Sequence, residues 1–252
     1  MTRPLVLVPS SKAKAPGGEH PPYGDSPAVS AGPLAGPRQE ALTALQAAAD
    51  ELDDAGLARL CGVRADDVGR HRKLLAALAH APTLPAHLRY TGVVHRFAGL
   101  ESVTPAQAGV DVAIFSGLLG IALLDEAVPD YRLEATGRVP ALGVLGSWWR
   151  HQLAAPLRRL TAARMVWDLL PGEFARLWPD AERGGAHVVT VRFARADGRA
   201  APSASAKVAK GHLLRLLLET PTLDPAALVG AQPLAGWRFE HRGTGLEAVE
   251  EP

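Results

Sequence analysis

The stretch that decides the fold runs from Val112 to Trp149 and reads VAIFSGLLGIALLDEAVPDYRLEATGRVPALGVLGSWW. It begins with an apolar, partly β-branched run at 112–115, which stops abruptly at Ser116-Gly117. Such a run predicts a buried strand whose carboxyl end exposes backbone N–H groups to a ligand. A Pro129-Asp130 turn and the polar segment 131–134, Tyr-Arg-Leu-Glu, follow. Polar residues just beyond a buried strand are the usual builders of a site in an α/β protein.

Length and composition indicate a globular protein with a substantial core. The chain has 252 residues, of which 47% are hydrophobic, which is enough for one large domain or two small ones. The 27 Lys and Arg residues nearly balance the 26 Asp and Glu residues and leave a formal net charge of +1. Any nucleic-acid binding therefore requires a local basic surface, because net charge does not supply one.

Cysteine usage and hydropathy exclude several other classes of protein. Cys61 is the only cysteine, so there is no disulfide framework and no cysteine-based zinc site, and its apolar neighbours indicate a buried, inert thiol. No apolar run approaches the roughly 20 residues that span a bilayer, and none suits a signal peptide. We therefore expect a soluble cytoplasmic protein without membrane contact. The scattered histidines and the lack of a Walker loop or dinucleotide fingerprint predict no metal and no cofactor.

Two further apolar runs end in polar residues. The run at 5–8 leads into a loop that carries Ser11 and Lys14, and the run at 165–170 leads to Glu173. A lysine in such a loop pairs with phosphate or, if desolvated, acts as a nucleophile or base. We expect these strand ends to converge on one region of the protein.

The remaining segments suggest packing helices and two irregular regions. Residues 15–37 are rich in Pro, Gly, Ser and Ala, which predicts a long mobile loop, and helical patterns follow at 38–60 and 64–80. The end of the chain is acidic, so we predict a domain of residues 1–243 with a frayed tail at 244–252.

A basic pair lies on a late helical segment. Lys207 and Lys210 are three residues apart on a helix predicted from Ser203 to Glu219, and they therefore share one face. Basic residues one turn apart near the start of a helix suit a phosphate-bearing ligand. A solvated helical face is the alternative interpretation.

Taken in order, these segments resemble the peroxide-stress YaaA family. The family carries a strand followed by Ser-x-x-Lys, as at Ser11 and Lys14, then SGLxG, as at 116–120, and a YRxE-like segment, as at 131–134. It also carries a Lys-x-x-Arg/Lys-Gly signature, as at 207–211, and a closing Gly-aromatic-x-Phe segment, as at 236–239. The resemblance runs from Val6 to about Phe239 and implies a single α/β domain, with a central mixed sheet wrapped by helices and a basic cleft.

The chain departs from the family pattern at five positions. Lys12 stands where relatives often have an acidic residue, and Val93 and His95 stand where Asp and Tyr are frequent. Asp168 and Pro171 replace Asn and Ser at the third strand end. These changes suggest altered ligand contacts and leave open a divergent copy with a specialised role or without activity.

Two other hypotheses follow from the resemblance and from the residues. Family members are described as cytoplasmic proteins of the hydrogen-peroxide response that limit free intracellular iron and bind DNA, including distorted duplexes. The alternative is an enzyme acting on a phosphorylated or nucleobase-like small molecule, because a mixture of cations and carboxylates is more typical of an enzyme pocket than of a DNA groove.

Each hypothesis assigns roles to residues. In the enzyme, Lys14 is the base or Schiff-base nucleophile, Glu134 or Glu173 is the acid/base, and Arg132 is the anion clamp. We expect a monomer whose partner is DNA or a small anionic ligand. The residues predicted to bind it are Ser11, Lys14, Ser116, Gly117, Arg132, Lys207 and Lys210.

Overall fold

The computed structural model describes residues 2–179 and 182–251 and is built on one large mixed sheet. Its strands lie side by side in the order β11-β12-β10-β9-β1-β4-β5. Two smaller sheets, of order β2-β3-β6 and β7-β8, flank it. The strands are β1 Leu5–Pro9, β2 His20–Pro22, β3 Pro82–Pro85, β4 Asp111–Ser116, β5 Gly120–Leu123, β6 Ala127–Pro129, β7 Arg138–Val139, β8 Gly143–Val144, β9 Met165–Asp168, β10 His187–Arg195, β11 Trp237–Arg242 and β12 Gly245–Glu250.

Helices cover the sheet, and single 3-10 turns connect several of them. The helices are α1 Pro27–Ser30, α2 Ala35–Glu51, α3 Asp54–Cys61, α4 Val68–Ala76, α5 Ala86–Arg89, α6 Val93–Ala98, α7 Leu145–Thr161, α8 Gly172–Ala175, α9 Ser203–Glu219 and α10 Pro225–Leu228. The 3-10 turns are Tyr23–Asp25, Ala65–Asp67, Leu78–His80, Leu100–Ser102 and Pro105–Gln107. None of the helices in the described ranges is long and apolar enough to cross a bilayer.

The centre of the large sheet is parallel, and both of its edges are antiparallel. β1 pairs in parallel with β4 on one side and with β9 on the other, and β9 continues in parallel to β10 and β12. The hairpins β4-β5 and β11-β12 close the two edges. The apolar runs at 5–8 and 112–115 are completely or almost completely buried, as expected for strands covered on both faces. The predicted α/β fold with a central mixed sheet is confirmed.

A local prediction is also confirmed, since the helix predicted from Ser203 to Glu219 is α9. The helical pattern at 38–60 is divided into α2 and α3. The division falls at Asp53, whose carboxylate accepts a hydrogen bond from the Gly56 N–H at 2.7 Å and so begins a new helix.

The prediction of a long mobile loop at 15–37 is wrong. This segment contains β2, a 3-10 turn with the buried Tyr23, α1 and the beginning of α2. The buried Arg89 guanidinium anchors it by donating hydrogen bonds to the carbonyl oxygens of Ala15 and Gly17, the latter at 2.7 Å. The low hydrophobicity of the segment gave no sign that it is ordered. Hydrogen bonds from a distant arginine to backbone carbonyls leave no pattern in the local sequence.

The prediction of a frayed tail at 244–252 is also wrong for its described part. Residues 245–250 form β12, which lies between β10 and β11 and pairs with both. Gly243, at φ +58°, turns the chain back into the sheet. The glutamates at positions 247 and 250 made the segment look like a solvated tail, but Leu246 and Ala248 are buried in the core.

We expect a chain ending at Gly243 to lose about 10 °C or more in melting temperature relative to the full chain. Removing β12 exposes β10 and leaves β11 without its partner, and each lost kcal/mol lowers the melting temperature by about 2–4 °C in a protein of this size. Thermal denaturation followed by circular dichroism measures this. A chain ending at Glu250 is the control, and equal melting temperatures for the two truncations would contradict the role of β12.

Candidate functional site

A cleft of about 1720 Å³ opens where the carboxyl ends of the parallel strands meet. The loop after β1, the segment 131–135, the beginning of α8, strand β10, the first half of α9 and the β11-β12 turn line it. Parallel pairing explains this position, because the loops that follow strands of the same direction begin at the same edge of the sheet. The strand ends therefore converge on one region, as the sequence analysis predicts.

The cleft is basic although the chain as a whole is nearly neutral. Its described lining contains eight Lys and Arg residues against four Asp and Glu residues, whereas the whole chain carries a formal net charge of only +1. Three of the four carboxylates form ion pairs with cations of the same lining. These pairs are Lys12–Glu134, Arg183–Asp168 and Arg242–Glu247.

Most of the predicted site residues lie together in this cleft. Those that line it are Ser11, Lys14, Arg132, Glu134, Glu173, Lys207 and Lys210. All five positions that depart from the family pattern line it as well: Lys12, Val93, His95, Asp168 and Pro171. The Asp168 carboxylate accepts a hydrogen bond from the Leu170 N–H and pairs with Arg183 at 2.7 Å, so it is engaged within the protein.

The sequence analysis predicts that Ser116 and Gly117 present N–H groups to a ligand, but the structure does not place these two residues in the cleft. Both residues are buried, and neither lines the cleft. The Ser116 hydroxyl accepts hydrogen bonds from the N–H groups of Leu118 and Leu119, both at 3.1 Å, and lies 2.6 Å from the Tyr131 hydroxyl. The Ser116 hydroxyl therefore pairs with the backbone N–H groups that follow the strand. It also positions Tyr131, which forms part of the cleft wall.

A chain of buried hydroxyls supports the floor of the cleft. The Tyr131 hydroxyl, bound to Ser116, also lies 2.8 Å from the Tyr90 hydroxyl. Burial raises the pKa of Tyr90 well above its ordinary value, and that of Tyr131 is raised for the same reason. Both phenols therefore stay protonated at neutral pH, and Tyr131, which lines the cleft, is hydrogen-bonded to the buried Tyr90.

Lys14 lies against these two rings. Its Nζ is 4.0 Å from the centroid of the Tyr131 ring and 5.4 Å from that of Tyr90, and it donates a hydrogen bond to the Ser11 carbonyl oxygen at 2.8 Å. Burial lowers the pKa of Lys14 to about 7, while Asp130 raises it and Arg132 lowers it further. The amine is therefore partly neutral at physiological pH.

The loop that carries Lys14 is held by close backbone approach. The Thr91 N–H donates to the Ala13 carbonyl oxygen, and the Gly92 N–H donates to the Ser11 hydroxyl at 3.2 Å. A Cβ atom on Gly92 would lie 2.3 Å from Cβ of Ser11. This contact explains the glycine at position 92, because any side chain there would displace the loop that carries Lys14.

Two polar side chains of the lining have buried nitrogens without a hydrogen-bond partner in the described structure. His95 is 2% exposed, its ring is 5.4 Å from that of Tyr90, and neither of its nitrogens has a hydrogen-bond partner in the described structure. Burial, followed by the charge of Lys14, lowers the pKa of His95 to about 3, so the ring is neutral. Arg132 donates to the Gly62 carbonyl oxygen through Nη2, but its buried Nε has no partner among the described residues. Such groups suit a ligand that satisfies them.

On the opposite wall, α9 supplies Lys207 and Lys210. The Lys210 Nζ donates to the Leu169 carbonyl oxygen at 2.7 Å, and burial lowers the pKa of this lysine to about 8, with Asp168 raising it and Lys207 lowering it. A Cβ atom on Gly211 would lie 2.5 Å from Cβ of Phe97 on α6. The glycine that follows the lysine pair therefore lets α9 pack closely on α6, which also carries His95.

The segment with Arg132 and Glu134 rests on the end of α3, a contact that the sequence analysis missed. The Glu134 N–H donates to the Leu60 carbonyl oxygen at 2.9 Å, and Gly62 ends α3 at φ +60°. A Cβ atom on Gly62 would lie 1.9 Å from a carboxylate oxygen of Glu134. A glycine just after an apolar helix was the only local signal, and it indicates a helix end without revealing what packs there.

Cys61 lies at the end of α3, beside this segment. It is completely buried, and burial raises the pKa of its thiol to about 11, so the thiolate form is scarce at neutral pH. The prediction that this thiol is buried is confirmed. No group of three or more His, Cys, Asp or Glu side chains within the described ranges is arranged to hold a metal ion.

The mixed sheet and its cleft define the class of the protein: an α/β protein with a basic cleft at the carboxyl ends of parallel strands. Residues 5–242 then match the family model of the peroxide stress protein YaaA, so the chain belongs to that family.

Relatives span nearly the same length. A UPF0246 protein of Streptomyces coelicolor is 31% identical over 243 residues, covering 94% of this chain and 92% of the relative. A UPF0246 protein of Corynebacterium efficiens is 31% identical over 224 residues, or 86% of both chains. A UPF0246 protein of Ruegeria sp. is 27% identical over 194 residues, covering 73% of this chain and 77% of the relative.

We expect Gly62→Ala to lower the free energy of unfolding by about 1–3 kcal/mol, because the new methyl group strains a left-handed residue and collides with Glu134. Chemical denaturation measures this, with Gly69→Ala, which has open space around it, as the control. Combining Gly62→Ala with Glu134→Ala removes the collision and should recover part of the loss. Additive losses in the double variant would contradict the contact.

We expect Lys14→Met to gain stability relative to the parent chain as the pH falls from 10 to 7. The folded state lowers the pKa of Lys14 from 10.5 to about 7, so in this window the unfolded parent binds a proton that the folded parent does not. Parent stability therefore rises with pH by up to about 1.4 kcal/mol per unit from this group. Urea denaturation at several pH values measures the difference, with Lys12→Met controlling for loss of a lysine in the same loop. A difference independent of pH would contradict burial of the amine.

Proposed function

We propose that this protein acts in the bacterial response to hydrogen peroxide by binding DNA in the basic cleft. The observation that carries the proposal is the pairing of three of the four lining carboxylates with neighbouring cations. The lining charges outside these pairs are Lys14, Arg132, Arg192, Lys207 and Lys210 against Glu173. Cations thus dominate what a ligand meets, as phosphate binding requires.

The depth of the cations suggests which form of DNA is bound. Lys207 and Arg192 are exposed at the rim, whereas Lys14 and Lys210 are partly buried and hold their amines against backbone carbonyls. The surface of a regular duplex reaches rim cations, but only an unpaired or displaced nucleotide enters a deep cleft. We therefore propose a preference for distorted duplexes, bound by a monomer in the cytoplasm. Limitation of free intracellular iron, as described for the family, is part of the same proposal.

A second function is an enzyme acting on a phosphorylated or nucleobase-like small molecule. The specific observation in its favour is Lys14, an amine that is partly neutral at physiological pH and lies in a pocket with the unsatisfied Arg132 and His95. In this alternative, Arg132 clamps the anionic group and Glu173, outside the three lining ion pairs, is the acid/base.

For the first function, we expect bulged DNA to bind more tightly than regular duplex and its affinity to fall steeply with salt. Replacing both Lys207 and Lys210 by alanine should reduce the slope of log affinity against log salt by about two, because two phosphate contacts are lost. Arg132→Ala should weaken binding of bulged DNA more than that of regular duplex. Fluorescence anisotropy across a salt series measures these effects.

The matched control replaces Arg158 and Arg159 together by alanine. These two exposed cations lie in the last turn of α7 and do not line the cleft, so the salt slope should match that of the parent chain. Equal slopes for the cleft and control variants would place DNA elsewhere on the surface. If the folded parent chain binds neither duplex, the DNA-binding function is excluded and the enzyme remains as the proposed function.

A further inference from the structure

Lys14 differs from the other lysine of its loop in its partners. Lys12 is exposed and ion-paired with Glu134. Lys14 forms no ion pair with any carboxylate in the described structure, and its Nζ makes one hydrogen bond to the Ser11 carbonyl oxygen while lying over the Tyr131 ring. An amine that donates one hydrogen to a carbonyl oxygen retains a lone pair for another atom when it is neutral.

Two residues with unsatisfied nitrogens, His95 and Arg132, line the same cleft as Lys14. The neutral His95 ring offers one donor and one acceptor, both unsatisfied in the described structure, and Arg132 offers an unsatisfied Nε–H. Tyr131 and Tyr90 shield the amine from bulk water with two aromatic rings. Desolvated lysines in such surroundings are the ones that act as nucleophiles toward carbonyl carbons.

We propose that Lys14 forms an imine with the aldehyde or ketone carbon of a phosphate-bearing ligand whose phosphate is held by Lys207 and Lys210. This step rests on the proposed function only in placing the phosphate in the same cleft. It deepens that function by assigning the ligand a carbonyl group. Two sources share this chemistry: a DNA strand with an abasic site, which carries an aldehyde between phosphates, and a small phosphorylated sugar.

The step is a condensation and needs no oxidant or reductant. The Lys14 lone pair adds to the carbonyl carbon, the carbonyl oxygen takes up a proton, and the nitrogen loses one, which gives a carbinolamine. His95 accepts a hydrogen bond from the hydroxyl of this intermediate or donates one to it. Loss of that hydroxyl as water, with the remaining nitrogen proton, leaves the C=N bond of the imine.

The acidity of Lys14 gives the step a pH dependence. Because its pKa is about 7, the reactive neutral form increases as the pH rises from 6 to 8 and then levels off. An ordinary lysine continues to gain neutral amine up to pH 10. The charged and titratable groups that face Lys14 are Asp130, Arg132, Arg89, His95, Tyr90 and Tyr131.

The test is reductive trapping by cyanoborohydride, with two probes used separately: a duplex oligonucleotide with one abasic site, and ribose 5-phosphate. We expect a covalent adduct with at least one probe, mapped by peptide mass spectrometry to Lys14 in about tenfold excess over Lys12 in the same loop. The trapping rate should rise between pH 6 and 8 and then level off. A steady rise to pH 10, or equal labelling of the two lysines, overturns the proposal.

Two variants separate chemistry from folding. Lys14→Arg keeps the positive charge but cannot form the imine, and Lys14→Met removes the charge; both should lose about tenfold or more of the adduct while keeping the parent circular dichroism spectrum. Lys73→Met, an exposed lysine on α4 outside the cleft, should trap like the parent chain. Undiminished trapping in folded Lys14→Arg overturns the proposal.

The outcomes distinguish this inference from the function on which it rests. Salt-dependent binding of bulged DNA without any adduct at Lys14 overturns the imine and leaves DNA binding in place. If the protein forms an adduct with ribose 5-phosphate but does not bind DNA, the imine is supported and its ligand is a small sugar. The DNA-binding function is then excluded. An adduct with the abasic duplex alone supports both.

Discussion

Parallel pairing of β1 with both β4 and β9 is the constraint on which the rest of the structure depends. Strands that run in the same direction end at the same edge of the sheet, so the loop with Lys14 after β1 and the beginning of α8 after β9 line one cleft. The apolar runs are buried on both faces, which fixes the sheet by the hydrophobic effect. The cleft is a geometric consequence of this arrangement.

Close approach and buried hydroxyls then shape the cleft. Gly92 allows the loop with Lys14 to rest on the chain before α6, Gly211 allows α9 to rest on α6, and Gly62 leaves space for Glu134. The Ser116 hydroxyl fixes Tyr131, and Tyr131 in turn contacts Tyr90. The three glycines therefore have no space for a methyl group, and the three hydroxyls are all hydrogen-bonded.

Electrostatics distinguishes this cleft from a solvated basic surface. Burying the amines of Lys14 and Lys210 lowers both pKa values, to about 7 and about 8, and this disfavours their charged forms in the folded protein. Neutral side chains of similar size would avoid this desolvation, so burying two lysines costs stability. Two such lysines in one cleft with the unsatisfied His95 support the proposal that the cleft binds a ligand.

The sequence by itself determined the α/β class, the buried strands, the long helix with the lysine pair and most members of the site, because apolar runs, turn residues and motif order are local properties. It also indicated the family through that order. Tertiary structure alone decided that Ser116 faces inward, that β12 lies inside the sheet and that Arg89 anchors the segment predicted to be a loop. It likewise decided which lysines are desolvated, namely Lys14 and Lys210. These outcomes depend on partners distant in the sequence, and hydrogen bonds and burial between such partners leave no periodic pattern in the residues themselves.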